Sequence, residues 1–336
     1  MSAMKVLLLA SPLVLALSTG PVSPEGLGPE LSRASSTLQG SESNRVRGTR
    51  VSLVPPKGFT RAKLFVGFEH EETGSSIMIL SMAAPIDNLL QGMTKENLAA
   101  SGVELLSKSE VTRERVRGAQ LLASQTAGGV EYSKCMFLVG NDTRSAMIVG
   151  AYPSSLESEL GESLRAAIFE ATFDPELELD PFDAVSFRVR STEKLVVQPE
   201  GVGGVIVLVA PDAKTPGSPG DPLLVIAQSY SDVAIEDLEA FSIERARQTQ
   251  YQTNIKVLES KPAKLSGMDS YELILSASDS KTKTPTRIYQ VLAVAEDRYF
   301  VLQGMCAESK FDEFLPEFRR VKNSFTLAEE VKGSEE

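Results

Sequence analysis

At 336 residues the chain is longer than one ordinary core needs, and a prior of about 150 residues per domain gives two domains. Its 42% hydrophobic and 24% charged content is that of a globular protein, while a formal net charge of −11 excludes the basic footprint that nucleic-acid phosphates require and opposes docking on anionic lipid. One histidine, no tryptophan and two cysteines leave little for a metal centre or for His- and Cys-based catalysis.

Residues 1–18 read as a secretory signal peptide. Lys5 is the positive start, Val6 to Leu17 the apolar run, and Ala16, Leu17 and Ser18 the small-residue cleavage region. A retained anchor is the alternative, but a membrane span needs about 20 apolar residues and this run is shorter. No Cys lies near the cleavage site to accept a lipid, and no later stretch is apolar for long enough to span, so no stable membrane insertion is expected after cleavage. Residues 19–48 are rich in Ser, Gly, Pro and Glu and form a flexible linker.

A first domain is expected over residues 49–173. Arg50 to Val54 is a short strand stopped by Pro55 and Pro56; Ala62 to Phe68 and Ser75 to Ala83 are further strands, separated by the polar turn Glu69 to Gly74. Thr94 caps a short helix carrying Leu98, which Gly102 stops. Val103 to Val116 turns at Arg117 and Gly118 into Ala119 to Gln125. A hairpin follows, Val130 to Gly140 and Ala146 to Tyr152, joined at Asn141 and Asp142. Leu156, Leu160, Leu164, Ala167, Ile168 and Ala171 then make a helix stripe closed by Thr172 and Phe173.

Residues 174–184 are acidic, contain Pro175 and Pro181 and repeat no apolar face, so they form an exposed inter-domain linker. The second domain, 185–327, runs in the same order, before a disordered tail at 328–336. Val185 to Val189, Leu195 to Gln198, Val205 to Ala210 and Leu223 to Ala227 are strands, with a Pro- and Gly-rich loop from Pro211 to Pro222 that the first copy lacks. Ser231 or Asp232 caps a helix bearing Leu238, Phe241 and Arg245. Ile255 to Ser260 leads through Leu265, Ser266 and Gly267 into Tyr271 to Ser276. Arg287 to Val294, a turn at Ala295 to Arg298, and Tyr299 to Gly304 repeat the hairpin. Phe311, Phe314, Leu315, Phe318 and Val321 repeat the helix, closed by Ser324 and Phe325.

Hairpin, helix and closing Phe occur twice, so the chain reads as a tandem. Strands first, one early helix, a meander and a last helix favour an α+β fold, two tandem domains that are each an antiparallel sheet flanked by helices, over an alternating α/β fold. Gly118 and Gly267 occupy matching places, which suggests a left-handed turn in both copies. Each closing Phe is expected between helix and sheet, and each half is expected to fold alone.

Ser76-Ile-Met-Ile-Leu-Ser-Met82, Ala84-Pro85, Leu105-Leu-Ser-Lys108 and Gly118 resemble the first half of exported bacterial proteins of the PsbP and DcrB-like kind. In the second half Arg287-Ile-Tyr-Gln290, Tyr299-Phe300, Gln303-Gly304 and Leu315-Pro-Glu-Phe318 through Ser324-Phe325 are similar to the same Mog/PsbP-fold superfamily. The resemblance covers both domains and implies an antiparallel sheet sandwiched by helices. It implies no chemistry, because that superfamily shares a scaffold and not an activity.

The residues assign no catalytic, cofactor or metal site. His70 in Glu69-His-Glu-Glu72 offers metal ligands, but an acidic turn with one His is ordinarily a solvated loop. Ser278 and Lys281 fit S-x-x-K by chance in a polar loop, and no G-x-S-x-G presents a nucleophile. Asp174, Glu176, Glu178 and Asp180 alternate, yet no glycine-turned calcium loop accompanies them. Cys135 and Cys306 either pair across the domains or stay buried and unreacted. Asn141 to Thr143 is a glycosylation sequon where the host glycosylates. The expected function is therefore an exported, non-enzymatic binding or scaffold protein with an envelope protein partner and no nucleic acid. A small-molecule or lipid carrier with a sheet–helix pocket is the alternative, and a carboxylate-based hydrolase a more distant one.

Overall fold

The computed structural model describes residues 45–113, 116–199, 204–213, 218–229, 234–296 and 298–328. The expected signal peptide, the tether as far as residue 44, the Ser231 or Asp232 cap and the tail beyond 328 lie outside those residues.

The first half contains β1 (Val51–Ser52), β2 (Thr60–Arg61), β3 (Gly67–His70), β4 (Ser75–Met82), β5 (Val103–Arg113), β6 (Val116–Ala127), β7 (Val130–Gly140), β8 (Ser145–Pro153) and β9 (Thr172–Phe173), with helices α1 (Ile86–Gly92), α2 (Lys95–Ala99) and α3 (Glu162–Phe169). The second contains β10 (Phe187–Arg188), β11 (Val196–Val197), β12 (Val205–Val209), β13 (Leu223–Gln228), β14 (Gln252–Leu265), β15 (Met268–Asp279), β16 (Pro285–Val294), β17 (Tyr299–Ala307) and β18 (Thr326–Leu327), with α4 (Leu238–Arg247) and α5 (Phe311–Asn323). Each half folds into a seven-stranded antiparallel sheet with one shared strand plan, β2-β3-β4-β8-β7-β6-β5 and β11-β12-β13-β17-β16-β15-β14. The chain is thus an α+β tandem of two antiparallel sheet units. Two short pairs, β1 with β9 and β10 with β18, tie the beginning of each unit to its end.

Side-chain alternation decides what each sheet face meets. Along β4, Ile77 and Ile79 join the core under α3, where Leu164 and Ile168, four apart on that helix, press down. The intervening Met78, Leu80 and Met82 point the other way, into a cluster that also holds Ile86, Leu89 and Leu98 of the two small helices. That same cluster contains Val205, Val207, Val209 and Leu223 of the second unit, so the inner faces of the two sheets share one core. In β12 the remaining residues, Ile206 and Leu208, face the core under α5 with Phe314 and Phe318. All of β12 is buried because both of its faces are covered, one by α5 and one by the other sheet. The remainder of the second inner face lies under α4, where Ala246 meets Leu273, Leu275 and Ile288.

Each outer helix sits close to its sheet over a glycine. Gly150 pairs with Ile77 and Cys135, and Gly304 with Leu224 and Tyr289, which makes them matching positions. A Cβ on Gly304 would lie 2.7 Å from Cγ of Phe318, and one on Gly150 would lie 2.9 Å from Cδ2 of Leu164. At the far edges, β5 and β14 each carry a bulge, with Leu106 left out of register between Leu105 and Ser107, and Leu258 between Val257 and Glu259. Both leucines face solvent, 61% and 49% exposed.

Several local expectations change. Gly118 lies inside β6 and not at a turn; it is needed because a Cβ would run into the carbonyl of Leu138 on the neighbouring strand. Gly267 does hold the left-handed conformation, at φ +87°. Residues 62–66 leave the sheet as a bend, because Val66 turns its carbonyl to Ile79 and Leu64 turns its carbonyl toward Gln228 of the second unit. Thr94 caps α2 as expected, accepting from Asn97 N, whereas α4 is capped by Asp237, which accepts from Ala240 N. The linker acids are exposed, but the segment is tied down: Pro175 is buried, its carbonyl accepts from Arg144 at 2.7 Å, and Asp180 caps the turn at Pro181–Ala184. Phe173 and Phe325 are both buried in their own units, Phe173 inside β9 and Phe325 one residue before β18, stacked on Phe187 at 5.2 Å.

Candidate functional site

Where the units meet, the bend at residues 61–67 faces residues 183–186, Gln228 and Arg298 across a groove of about 170 Å³. Its floor is a chain of hydrogen bonds that crosses from one unit to the other. The Gln228 amide oxygen accepts from both N and Oγ of Ser186, at 2.9 and 2.8 Å, and its Nε2 donates to the Leu64 carbonyl at 3.5 Å. Arg298 donates to Oγ of Ser186 at 3.2 Å. Gln228 is 7% exposed, and a buried amide held at both ends fixes its neighbours in place.

The walls are basic. Arg47, Arg61, Lys63 and Arg298 line the groove with a single acid, Asp183. Arg47 pairs with Asp183 at 3.3 Å and Lys63 with Glu71 at 3.2 Å, both at the surface, where such pairs are weakly held. Arg61 makes no hydrogen bond or ion pair among the described residues. Beside the groove, Arg50, Ser81, Met82, Asp180 and Val205 line a cavity of about 30 Å³, large enough for a water-sized group. In a chain of net charge −11, this junction is a local inversion of sign.

No motif pointed to this groove, since its residues come from four distant stretches. One signal was present in the sequence: from Arg45 to Lys63 there are six Lys or Arg residues (45, 47, 50, 57, 61 and 63) and no Asp or Glu. A run of that sign in an acidic chain is a patch that folding places at the junction.

The residues singled out from the sequence are not brought together here. His70 ends β3, half-buried, its ring edge-on to Phe59 at 5.4 Å and packed against Gly58, while Glu71 and Glu72 stay in the turn. Among the described residues no group of three or more His, Cys, Asp and Glu could hold a metal ion. Ser278 is in β15, and Lys281 is in a turn organised by Asp279, whose Oδ1 accepts from the backbone N of Lys281 and Thr282. Asn141 does the same for its own hairpin, accepting from Thr143 and Arg144 N at 2.9 and 2.8 Å. Asp174, Glu176, Glu178 and Asp180 splay to separate partners: Asp174 accepts from Glu176 N, Glu178 approaches Arg144, and Asp180 pairs with Arg188.

Cys135 and Cys306 are free and lie in different cores. Burial pushes both thiols up to about 12, so neither is a nucleophile at neutral pH. Each occupies the place that a tyrosine holds in the other unit. Cys135 and Tyr289 flank the matching glycines, and Tyr152 and Cys306 follow them by two residues. Both tyrosines carry the same kind of cluster. Tyr152 donates to Glu157 at 2.6 Å with Arg165 alongside, and Tyr289 donates to Glu272 at 3.0 Å with Arg319 alongside. Burial raises both phenols above their ordinary range. At Glu272, burial pulls the carboxyl upward, but the hydrogen bond and charge of Arg319, with Tyr289 and Lys261, outweigh it and hold the group below its ordinary value. These clusters fasten α3 and α5 to their sheets.

No protein-family model matches the chain, and no curated protein matches it. Solved structures do. LpqN, involved in cell envelope biogenesis of Mycobacterium tuberculosis, is 16% identical and aligns over 42% of this chain and 83% of its own, with a TM-score of 0.31. The cyanobacterial PsbP (CyanoP) of Synechocystis sp. PCC 6803 is 14% identical over 42% of this chain and 92% of its own, with a TM-score of 0.28. The immunity protein TplEi of T6SS from Pseudomonas aeruginosa is 9% identical over 80% of this chain and 96% of its own, with a TM-score of 0.33. Among the described residues no helix is long and apolar enough to cross a membrane.

Proposed function

We propose that the chain is an exported binding or scaffold protein of the cell envelope, a tandem of PsbP/DcrB-like units that holds an envelope protein partner at the groove between them. One observation carries this reading: the groove has walls from both units and a floor of hydrogen bonds that crosses the junction, so it exists only in the assembled tandem. A rigid, preformed concavity of this kind is what recognition without covalent chemistry uses. The carrier reading is disfavoured by the helix–sheet interiors. They are filled by residues such as Ile148, Leu164 and Ile168 in one unit and Phe300, Phe318 and Val321 in the other, each no more than 1% exposed. The glycines under each helix leave no space there even for a methyl group.

Site-specific photocrosslinking in the native host tests the proposal. A photoreactive residue at position 63, in the groove, is expected to give a discrete adduct with an envelope protein; one at position 322, on the outer helix, is not. Mass spectrometry of the adduct reads the mature N-terminus in the same experiment, expected near Ser18. Equal labelling from both positions, or a chain that keeps Met1 to Leu17, would refute the groove or the export respectively.

A further inference from the structure

We infer that the groove recognises a single carboxylate of its polypeptide partner, held between Arg61 and Arg298. The inference rests on the groove being the partner site and adds the chemistry of what it takes.

The sign of the charge comes first. Four cations and one acid line a volume of about 170 Å³ in a chain whose net charge is −11. Repulsion among like charges in a confined space is costly unless an anion enters, and a cleft concentrates the field of its walls. The cations are not equally available. Arg47 is engaged by Asp183 and Lys63 by Glu71. Arg61 has no such partner among the described residues, and Arg298 is oriented by Ser186, itself fixed by Gln228. A guanidinium fork suits a carboxylate, which it meets with two parallel hydrogen bonds.

The size and the remaining acid choose among anions. A volume of this order takes one side-chain or terminal carboxylate, not a base or a sugar. Asp183 also lines the groove, and its charge opposes a dianionic phosphate more strongly than a monoanion. An anionic lipid surface is opposed by the charge of the whole chain. A protein partner presenting Glu, Asp or its own C-terminus meets all three conditions.

Calorimetry on the full mature chain tests this with the capped peptide Gly-Glu-Glu-Gly, its Gly-Gln-Gln-Gly counterpart and inorganic phosphate as probes. The Glu peptide is expected to bind at least tenfold more tightly than the Gln peptide and more tightly than phosphate. Its affinity should fall several-fold between 50 and 300 mM salt, as exposed charge pairs are screened over about 10 Å. Arg61→Ala, at an exposed position, should weaken the Glu peptide at least fivefold without moving the melting temperature; Arg61→Lys should recover only part of the loss. Equal affinity for the Glu and Gln peptides, no effect of Arg61→Ala, or tighter binding of phosphate would each overturn the assignment. A groove adduct from position 63 that survives Arg61→Ala, together with equal peptide affinities, would leave the groove as the partner site and remove the carboxylate as its ligand.

Discussion

Lys134 is a charge placed where the fold disfavours it. It stands on β7, 5% exposed, with its ammonium hydrogen-bonded to Oε1 of Gln125, and burial pushes its pKa down to about 8. In the unfolded chain a lysine titrates near 10.4, so at neutral pH the folded state bears the cost of a buried ammonium. Between about 8 and 10.4 the unfolded chain holds more protons than the folded one, and stability rises with pH in that window. Lys134→Met keeps the length and removes the charge. Its gain in urea stability over the parent chain should be largest below pH 8 and shrink toward pH 10; a gain independent of pH would show that Lys134 stays fully charged in the fold. The same scale shows why some residues were legible and others were not. Cys135 reads as a small buried apolar residue on any strand. The exchange of Cys and Tyr between the units does not, because pairing partners are set by strand register and not by spacing along the chain.

Among the elements, those with a long, regular apolar period were legible. The hairpin β7–β8, the matching β16–β17 and the stripe of α5 fall where the sequence places them, since Phe311, Phe314, Phe318 and Val321 repeat at helical spacing and are all buried. The helix α1 was missed. It has seven residues, follows Pro85, lacks a capping side chain and buries only Ile86 and Leu89. Residues 62–68 carry a strand composition, yet most of them bend away because contact with the other unit outweighs local preference. The close seat of α5 gives a direct test. Gly304→Ala should force Phe318 or the whole helix outward, costing roughly 1–3 kcal/mol as overpacking of a filled core does. A urea midpoint unchanged by that substitution would mean that the helix rides more loosely on its sheet than the geometry shows.

For the whole molecule, the tandem was legible and the union of its halves was not. Val205 to Ala210 announces a strand buried on both faces, but nothing in one strand says that a second sheet covers it. Met78, Leu80 and Met82 of one unit and Val205, Val207 and Val209 of the other close a single core, so each half made alone would expose its share of that cluster. The groove was illegible for a related reason: Arg61 and Arg298 become neighbours only once both sheets are in place. The full chain should therefore unfold in one cooperative transition. Constructs 45–184 and 185–328 should each melt well below it, and mixing them should restore stability. Two separate transitions in the intact chain, each matching an isolated half, would show that the shared core contributes little.

The out-of-step leucines on β5 and β14 bear on how copies of this protein keep apart. An open sheet offers its last strand to any chain that can match a repeating ladder of donors and acceptors, and here each molecule has two long margins of that kind. At Leu106 and at Leu258 the repeat skips a beat, so a strand arriving along either margin loses step partway. Lys108 on one margin, and Lys256, Lys261 and Lys264 on the other, add a like-charge penalty to self-pairing. The same interruption in both copies makes the tandem a poor template for its own polymerisation, and association through the junction groove becomes the contact left open to it.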